Sequence, residues 1–192
     1  HGTSRRQRQM CIRDRSKYLG IKIENQALIK KISTDTRTIK LGSLFISIKC
    51  KNYNGNDYVQ DAFEKGAVLA LVDDLRFKDL KNKKIIYVKN TIESLTKIGK
   101  NIIKDFEGKV IAITGSNGKT STTSIVAESL RKVSTTIENF NNEIGVPLSL
   151  INASPKSDYL VLEIGASKFN DIDHLSNCLL YTSDAADEKY RV

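Results

Sequence analysis

Gly115-Ser116-Asn117-Gly118-Lys119-Thr120 joins two segments of different period, and it gathers the residue types best suited to bind phosphate. Before it, Val110-Ile111-Ala112-Ile113 is a β-branched apolar run, the pattern of a buried strand. After it, Ile125, Val126 and Leu130 recur at helical spacing, which predicts an amphipathic helix beginning near Lys119. A strand, a tight turn and a helix N-terminus bring unpaired N–H groups and the positive end of a helix dipole to one point, which suits an anion. In that arrangement Thr114, Gly115, Ser116, Asn117, Gly118 and Ser121 surround the phosphates. Lys119 reaches the β- and γ-phosphates, and the Thr120 hydroxyl ligates Mg²⁺. Glycine keeps a Cβ out of the anion's way. The general phosphate loop also has a glycine five residues before its second one, and Ile113 stands there instead.

Further polar groups need strands to present them. Glu163 ends the apolar run Tyr159-Leu160-Val161-Leu162, and Asn139, Asn141 and Asn142 follow a β-branched strand expected at Val133–Ile137. A helix is expected within 143–150, with Pro147 tolerated only in its first turn. Upstream, the pattern predicts a strand over 41–48, a turn at 52–57, and a helix over 58–65 stopped by Gly66. Strands at 67–72 and 85–88 follow, then a helix from Thr91, with Thr91 as N-cap and Glu93 in its first turn. Residues 105–109 read as a linker. Strands alternating with helices predict parallel sheets with right-handed crossovers, whose ligands sit beyond the carboxyl ends of the strands. The loop at 114–120, the asparagines at 139–142 and Glu163 all lie at such ends, so three polar sites are expected on one rim. The expected fold class is α/β. A small N-terminal α/β unit at 16–107 precedes a phosphate-loop parallel-sheet unit at 108–177.

The chain has 192 residues, 40% of them hydrophobic and 28% charged, enough for a packed core under a charged surface. No apolar run approaches the roughly 20 residues that span a bilayer, and no signal peptide opens the chain, so a cytoplasmic location without membrane insertion is expected. The formal charge of +9 is spread along the chain. Without a basic stripe interleaved with aromatics it fits an anionic small substrate better than nucleic acid. Met10–Arg15 and Cys178–Thr182 can be encoded by one oligonucleotide read on opposite strands. Residues 1–15 and 178–192 therefore resemble translated sequencing adaptor and are set aside, and the natural gene is expected to continue past Asn177. That leaves Cys50 as the one natural cysteine, a small packing residue with no disulfide or metal framework around it.

Taken together, Ile113–Thr120, Asn139–Leu148 and Glu163-Ile164-Gly165-Ala166-Ser167 resemble the Mur ligases. Asp35-Thr36-Arg37, Gly42-Ser43-Leu44-Phe45 and Asn54-Gly55-Asn56-Asp57 are similar to that family's N-terminal motifs, so the resemblance covers about residues 30–176. Asn54 and Asn56 stand where the family has aspartate and histidine. The resemblance implies an ATP-dependent, Mg²⁺-using amide-bond ligase of peptidoglycan precursor synthesis, a monomer. Its substrate is a UDP-N-acetylmuramoyl-tripeptide, whose terminal carboxylate is activated as an acyl phosphate. The run Asn141-Asn142-Glu143-Ile144-Gly145-Val146-Pro147 favours the branch that adds D-alanyl-D-alanine. Lys119 and Glu163 carry the catalytic roles, with Glu163 a ligand for a second Mg²⁺ and Thr120 for the first. Asn141 or Asn142 hydrogen-bonds the phosphate or a metal-bound water, and Asp35, Thr36, Arg37, Asn54 and Gly55 hold the UDP-sugar. His174 does not match the family's catalytic histidine and reads as a surface residue. Because later parts of that family's site fall outside the resemblance, the chain is not expected to catalyse ligation alone.

Two other classes compete. A general phosphate-loop NTPase or kinase would end the strand at 159–163 in an aspartate rather than Glu163. A basic nucleic-acid-binding module rests on charge alone, and its affinity would fall steeply with salt.

Overall fold

A computed structural model of the chain describes residues 29–136 and 140–165. The adaptor-like flanks, the segment at 16–28, Asn139, Ala166, Ser167 and His174 lie outside the described residues. Contacts divide the chain into two units between Ile98 and Gly99.

In the first unit, strands β1 (Lys31–Ser33), β2 (Ser43–Ile46), β5 (Ala67–Val72) and β6 (Ile85–Tyr87) form an all-parallel sheet in that order. β1 was not legible as a strand, because three residues give no period. A short antiparallel ribbon, β3 (Lys49–Cys50) with β4 (Tyr53–Asn54), leads into the helix α1 (Val59–Glu64). β5 throughout and β2 after Ser43 are apolar because these strands are covered on both faces, as parallel strands are. Phe45, Ala62, Ala70 and Val72 are fully buried where α1 meets the sheet. Cys50 is exposed on the ribbon, so it is not the packing residue its small size suggested.

Helix α2 (Thr91–Lys104) straddles the division. Its cap is Asn90, not Thr91, since the Asn90 Oδ1 accepts from the N–H groups of Ile92 and Glu93 at 2.9 and 3.1 Å. The Thr91 hydroxyl instead donates to Asp73 at 3.1 Å.

In the second unit, β7 (Lys109–Ile113), β8 (Val133–Thr135) and β9 (Tyr159–Glu163) form a parallel sheet in the order β7-β9-β8. Helix α3 (Lys119–Ser129) follows β7, and α4 (Gly145–Asn152) follows β8 with Pro147 in its first turn, as its missing N–H requires. The central strand β9 carries the core, where Leu160 and Leu162 pack with Ile103 and Leu150. Two expectations fail. Among the described residues β7 is an edge strand with Val110 and Ala112 exposed, and Ile125 on α3 is 65% exposed while Thr123 is buried. Helical spacing identified the helix but not the face it buries.

Candidate functional site

Phosphate binding starts from the turn between β7 and α3. Thr114, Gly115, Ser116 and Asn117 form an exposed loop, and Gly118 is the N-cap of α3 with φ +76°. A Cβ at Gly118 would meet nothing within 4 Å, so glycine is required there by the backbone angle and not by space. The first N–H groups of α3, on Lys119, Thr120 and Ser121, have no intrahelical acceptor, and Gly118 brings no side chain to cap them. This leaves donors and the positive end of an 11-residue helix facing solvent. Lys119 folds back over the loop, its Nζ donating to the carbonyl of Gly115 at 2.7 Å.

Parallel pairing then fixes where the carboxylate stands. Glu163 is in register with Ile113, the last residue of β7, and the N–H of Ile164 donates to the Ile113 carbonyl. The strand that comes two later in the chain is therefore the immediate neighbour of β7 in space. Glu163 is buried, and its two oxygens are taken by opposite sides of the rim. The Thr120 hydroxyl donates to Oε2 and the Asn141 amide to Oε1, each at 2.8 Å. Below the carboxylate, the Glu163 N–H donates to the Thr136 hydroxyl at 2.6 Å. Thr136, just past β8, was missed in the sequence, where a threonine at a strand end carries no signal. All three groups expected on one rim do meet. Asn142 faces the other way, its Oδ1 accepting from the N–H groups of Ile144 and Gly145 at the start of α4.

A divalent cation fits this donor set. Two ligands at right angles on an octahedral Mg²⁺ with bonds of about 2.0–2.1 Å lie about 2.9 Å apart, close to the Thr120–Glu163 separation. Among the described residues no group of three or more His, Cys, Asp or Glu converges. Thr120 and Glu163 would be the protein groups that hold such an ion, leaving the rest of its shell to phosphate and water, as suits Mg²⁺. The two residues assigned to separate ions from the sequence can thus share one.

The expected sugar-nucleotide residues form tight local structures in the first unit. Asp35 caps a single 3₁₀ turn at Thr36–Thr38, and its carboxylate accepts from the Arg37 backbone N–H at 2.8 Å and from the guanidinium at 2.6 to 3.0 Å. That pairing holds the Asp35 carboxyl below the usual carboxylate range. Arg37 points to solvent, whereas Thr36 is buried. Asn54 Oδ1 accepts from the N–H and amide of Asn56, and Gly55 is buried against Ile48. No described contact joins Asp35-Thr36-Arg37 to Asn54-Gly55. Asn56 is 2% exposed. It accepts from the Ser47 hydroxyl and the Asp73 N–H and donates to Asn54 and Asp73, which leaves it no capacity for a ligand.

Comparison with known proteins decides the family. Residues 113–185 match the Mur ligase middle domain, a span running from the end of β7 past Glu163 and into the adaptor-like flank. The chain belongs to the Mur ligase family. It is 35% identical over 164 residues to the UDP-N-acetylmuramoyl-tripeptide--D-alanyl-D-alanine ligase of Bacillus subtilis, covering 84% of this chain and 35% of that protein. The enzyme of the same name from Buchnera aphidicola (strain Bp) is 39% identical over 149 residues, covering 76% and 32%. The crystal structure of MurF ligase from Thermotoga maritima in complex with ADP superposes with a TM-score of 0.68 at 30% identity, over 80% of this chain and 36% of that one. The chain thus spans about a third of the length of these relatives. Its α/β architecture with parallel sheets is that of the Mur ligase fold.

Proposed function

We propose that this chain carries the nucleotide-phosphate site and the sugar-nucleotide domain of an ATP-dependent ligase joining D-alanyl-D-alanine to UDP-N-acetylmuramoyl-tripeptide. The observation that carries the reading is the contact of Glu163 with both Thr120 and Asn141, on a rim where a helix N-terminus faces outward. The relatives' shared name supports the substrates, and the ADP bound in the Thermotoga enzyme supports the nucleotide.

The chemistry follows from charge. A carboxylate and a triphosphate repel, so the transferring phosphoryl group needs cations and N–H donors where charge builds. The loop N–H groups and Lys119, released from the Gly115 carbonyl, hold the β- and γ-phosphates. Thr120 and Glu163 would hold Mg²⁺, which when bound neutralises phosphate charge and aligns the oxygens. The γ-phosphoryl group passes to the terminal carboxylate of the tripeptide, giving an acyl phosphate and ADP. The amine of the dipeptide then attacks the acyl carbon, inorganic phosphate leaves, and the amine loses a proton as the peptide bond forms. Asp35, Thr36, Arg37, Asn54 and Gly55 shape the surface for the UDP-sugar, Arg37 by its exposed guanidinium and the others by holding the loops. The domain limits proposed for these roles are 16–107 and 108–177. Thr120 touching a strand-end acid is equally the geometry of a general phosphate-loop hydrolase. Calorimetric titration with Mg-ATP and, separately, with UDP-N-acetylmuramoyl-tripeptide tests the choice. Binding of both is expected, and binding of ATP alone would leave only the hydrolase.

A further inference from the structure

Glu163 has to present its carboxylate to a cation while buried, and its direction is set by a partner that rests on one particular glycine. Asn141 donates to Oε1 of Glu163 at 2.8 Å, and the carbonyl of Asn141 accepts from the N–H of Gly165 at 2.8 Å. A Cβ at Gly165 would stand 2.7 Å from both Cγ and Oδ1 of Asn141 and 3.0 Å from its Nδ2. No side chain is tolerated at Gly165 while Asn141 keeps its place. Its φ does not fall in the left-handed region, so the demand for glycine comes from this one neighbour.

We infer that Gly165 is a positioning residue for the cation site, leaving the space in which Asn141 locks the Glu163 carboxylate toward Thr120. The inference rests on the nucleotide reading above and adds to it how the metal-binding acid is aimed. Asn141 has one amide, and the structure places it on the carboxylate rather than toward the exposed loop. With one carboxylate oxygen held by Asn141 and the other by Thr120, the group can turn only if one of the two lets go. Partners behind a metal ligand commonly matter about ten- to a hundredfold to metal affinity.

Gly165→Ala is a selective probe because the atoms it strikes are the end of a side chain, which can swing aside without moving the sheet. The 192-residue chain is titrated with ADP with and without Mg²⁺. The wild type is expected to gain affinity with Mg²⁺. In Gly165→Ala that gain should shrink about ten- to a hundredfold while affinity without Mg²⁺ is kept. Adding Asn141→Ala to Gly165→Ala should cost nothing further, since both act through one contact. In the metal-free chain, side-chain amide protons of Asn141 should exchange slowly by NMR and become fast in Gly165→Ala. An unchanged Mg²⁺ gain in Gly165→Ala, or further loss in the double variant, overturns the inference and leaves the nucleotide site standing. A wild-type chain that binds no ADP overturns the nucleotide reading instead.

Discussion

Lys119 shows how one side chain serves a site before its ligand arrives. Its ammonium bonds the Gly115 carbonyl at 2.7 Å, which draws the loop together and keeps the charge beside the helix N-terminus. Losing it should cost about 1.5–3 kcal/mol of Mg-ATP binding, roughly ten- to a hundredfold, the worth of hydrogen bonds to a charged group. Calorimetry on Lys119→Ala checks this, and an unchanged affinity would remove the loop from the site. A second charged cluster concerns stability. Arg76 bridges Asp57 and Asp74, and its hydrogen bonds lower the Asp74 carboxyl to about 2. A depressed carboxyl stabilises the fold above its unfolded value of 3.8, and that contribution drains away as pH falls toward 2. Asp74→Asn should therefore flatten the loss of stability between about pH 4 and 2, as read by unfolding midpoints.

Among the elements, turns matter more than strand ends suggest. Gly55 opens the 3₁₀ segment that joins β4 to α1, and a Cβ there would lie 2.6 Å from the Ile48 nitrogen and 2.7 Å from its oxygen. Both are backbone atoms, so the crowding cannot be relieved by turning a side chain. Gly55→Ala should destabilise the first unit by about 1–3 kcal/mol, the usual cost of overpacking, and thermal melting measures it. Gly55 thus has a packing reason for its identity beside any contact with a sugar nucleotide. The polar cluster of buried Ser47, Asn56 and Thr91 with half-buried Asp73 ties the ends of β2 and β5 to the start of α2 through mutual hydrogen bonds. Asn56 was noticed in the sequence only as a departure from a family motif. Its partners, 9 and 17 residues away, could not be read from spacing.

For the whole molecule, the chain covers about a third of the length of the relatives it matches, and under the proposed function it is expected to bind Mg-ATP. A calorimetric titration that detects no Mg-ATP binding would contradict that. Among the described residues no helix is long and apolar enough to cross a membrane. Much was legible beforehand because it is local. Gly-Lys-Thr after an apolar run declares a strand, a turn and a helix start, and the alternation of periods declares parallel sheets. The sequence by itself determined which residues could grip phosphate and that their strands run parallel. It did not determine that β9 lies between β7 and β8, which brings Glu163 from 43 residues away to 2.8 Å from Thr120. Nor did it show that Asn141 turns to the acid while Asn142 caps a helix, or which faces of β7 and α3 are buried. Those outcomes depend on strand order and on steric fit between distant segments. Neither has a period for a sequence to display.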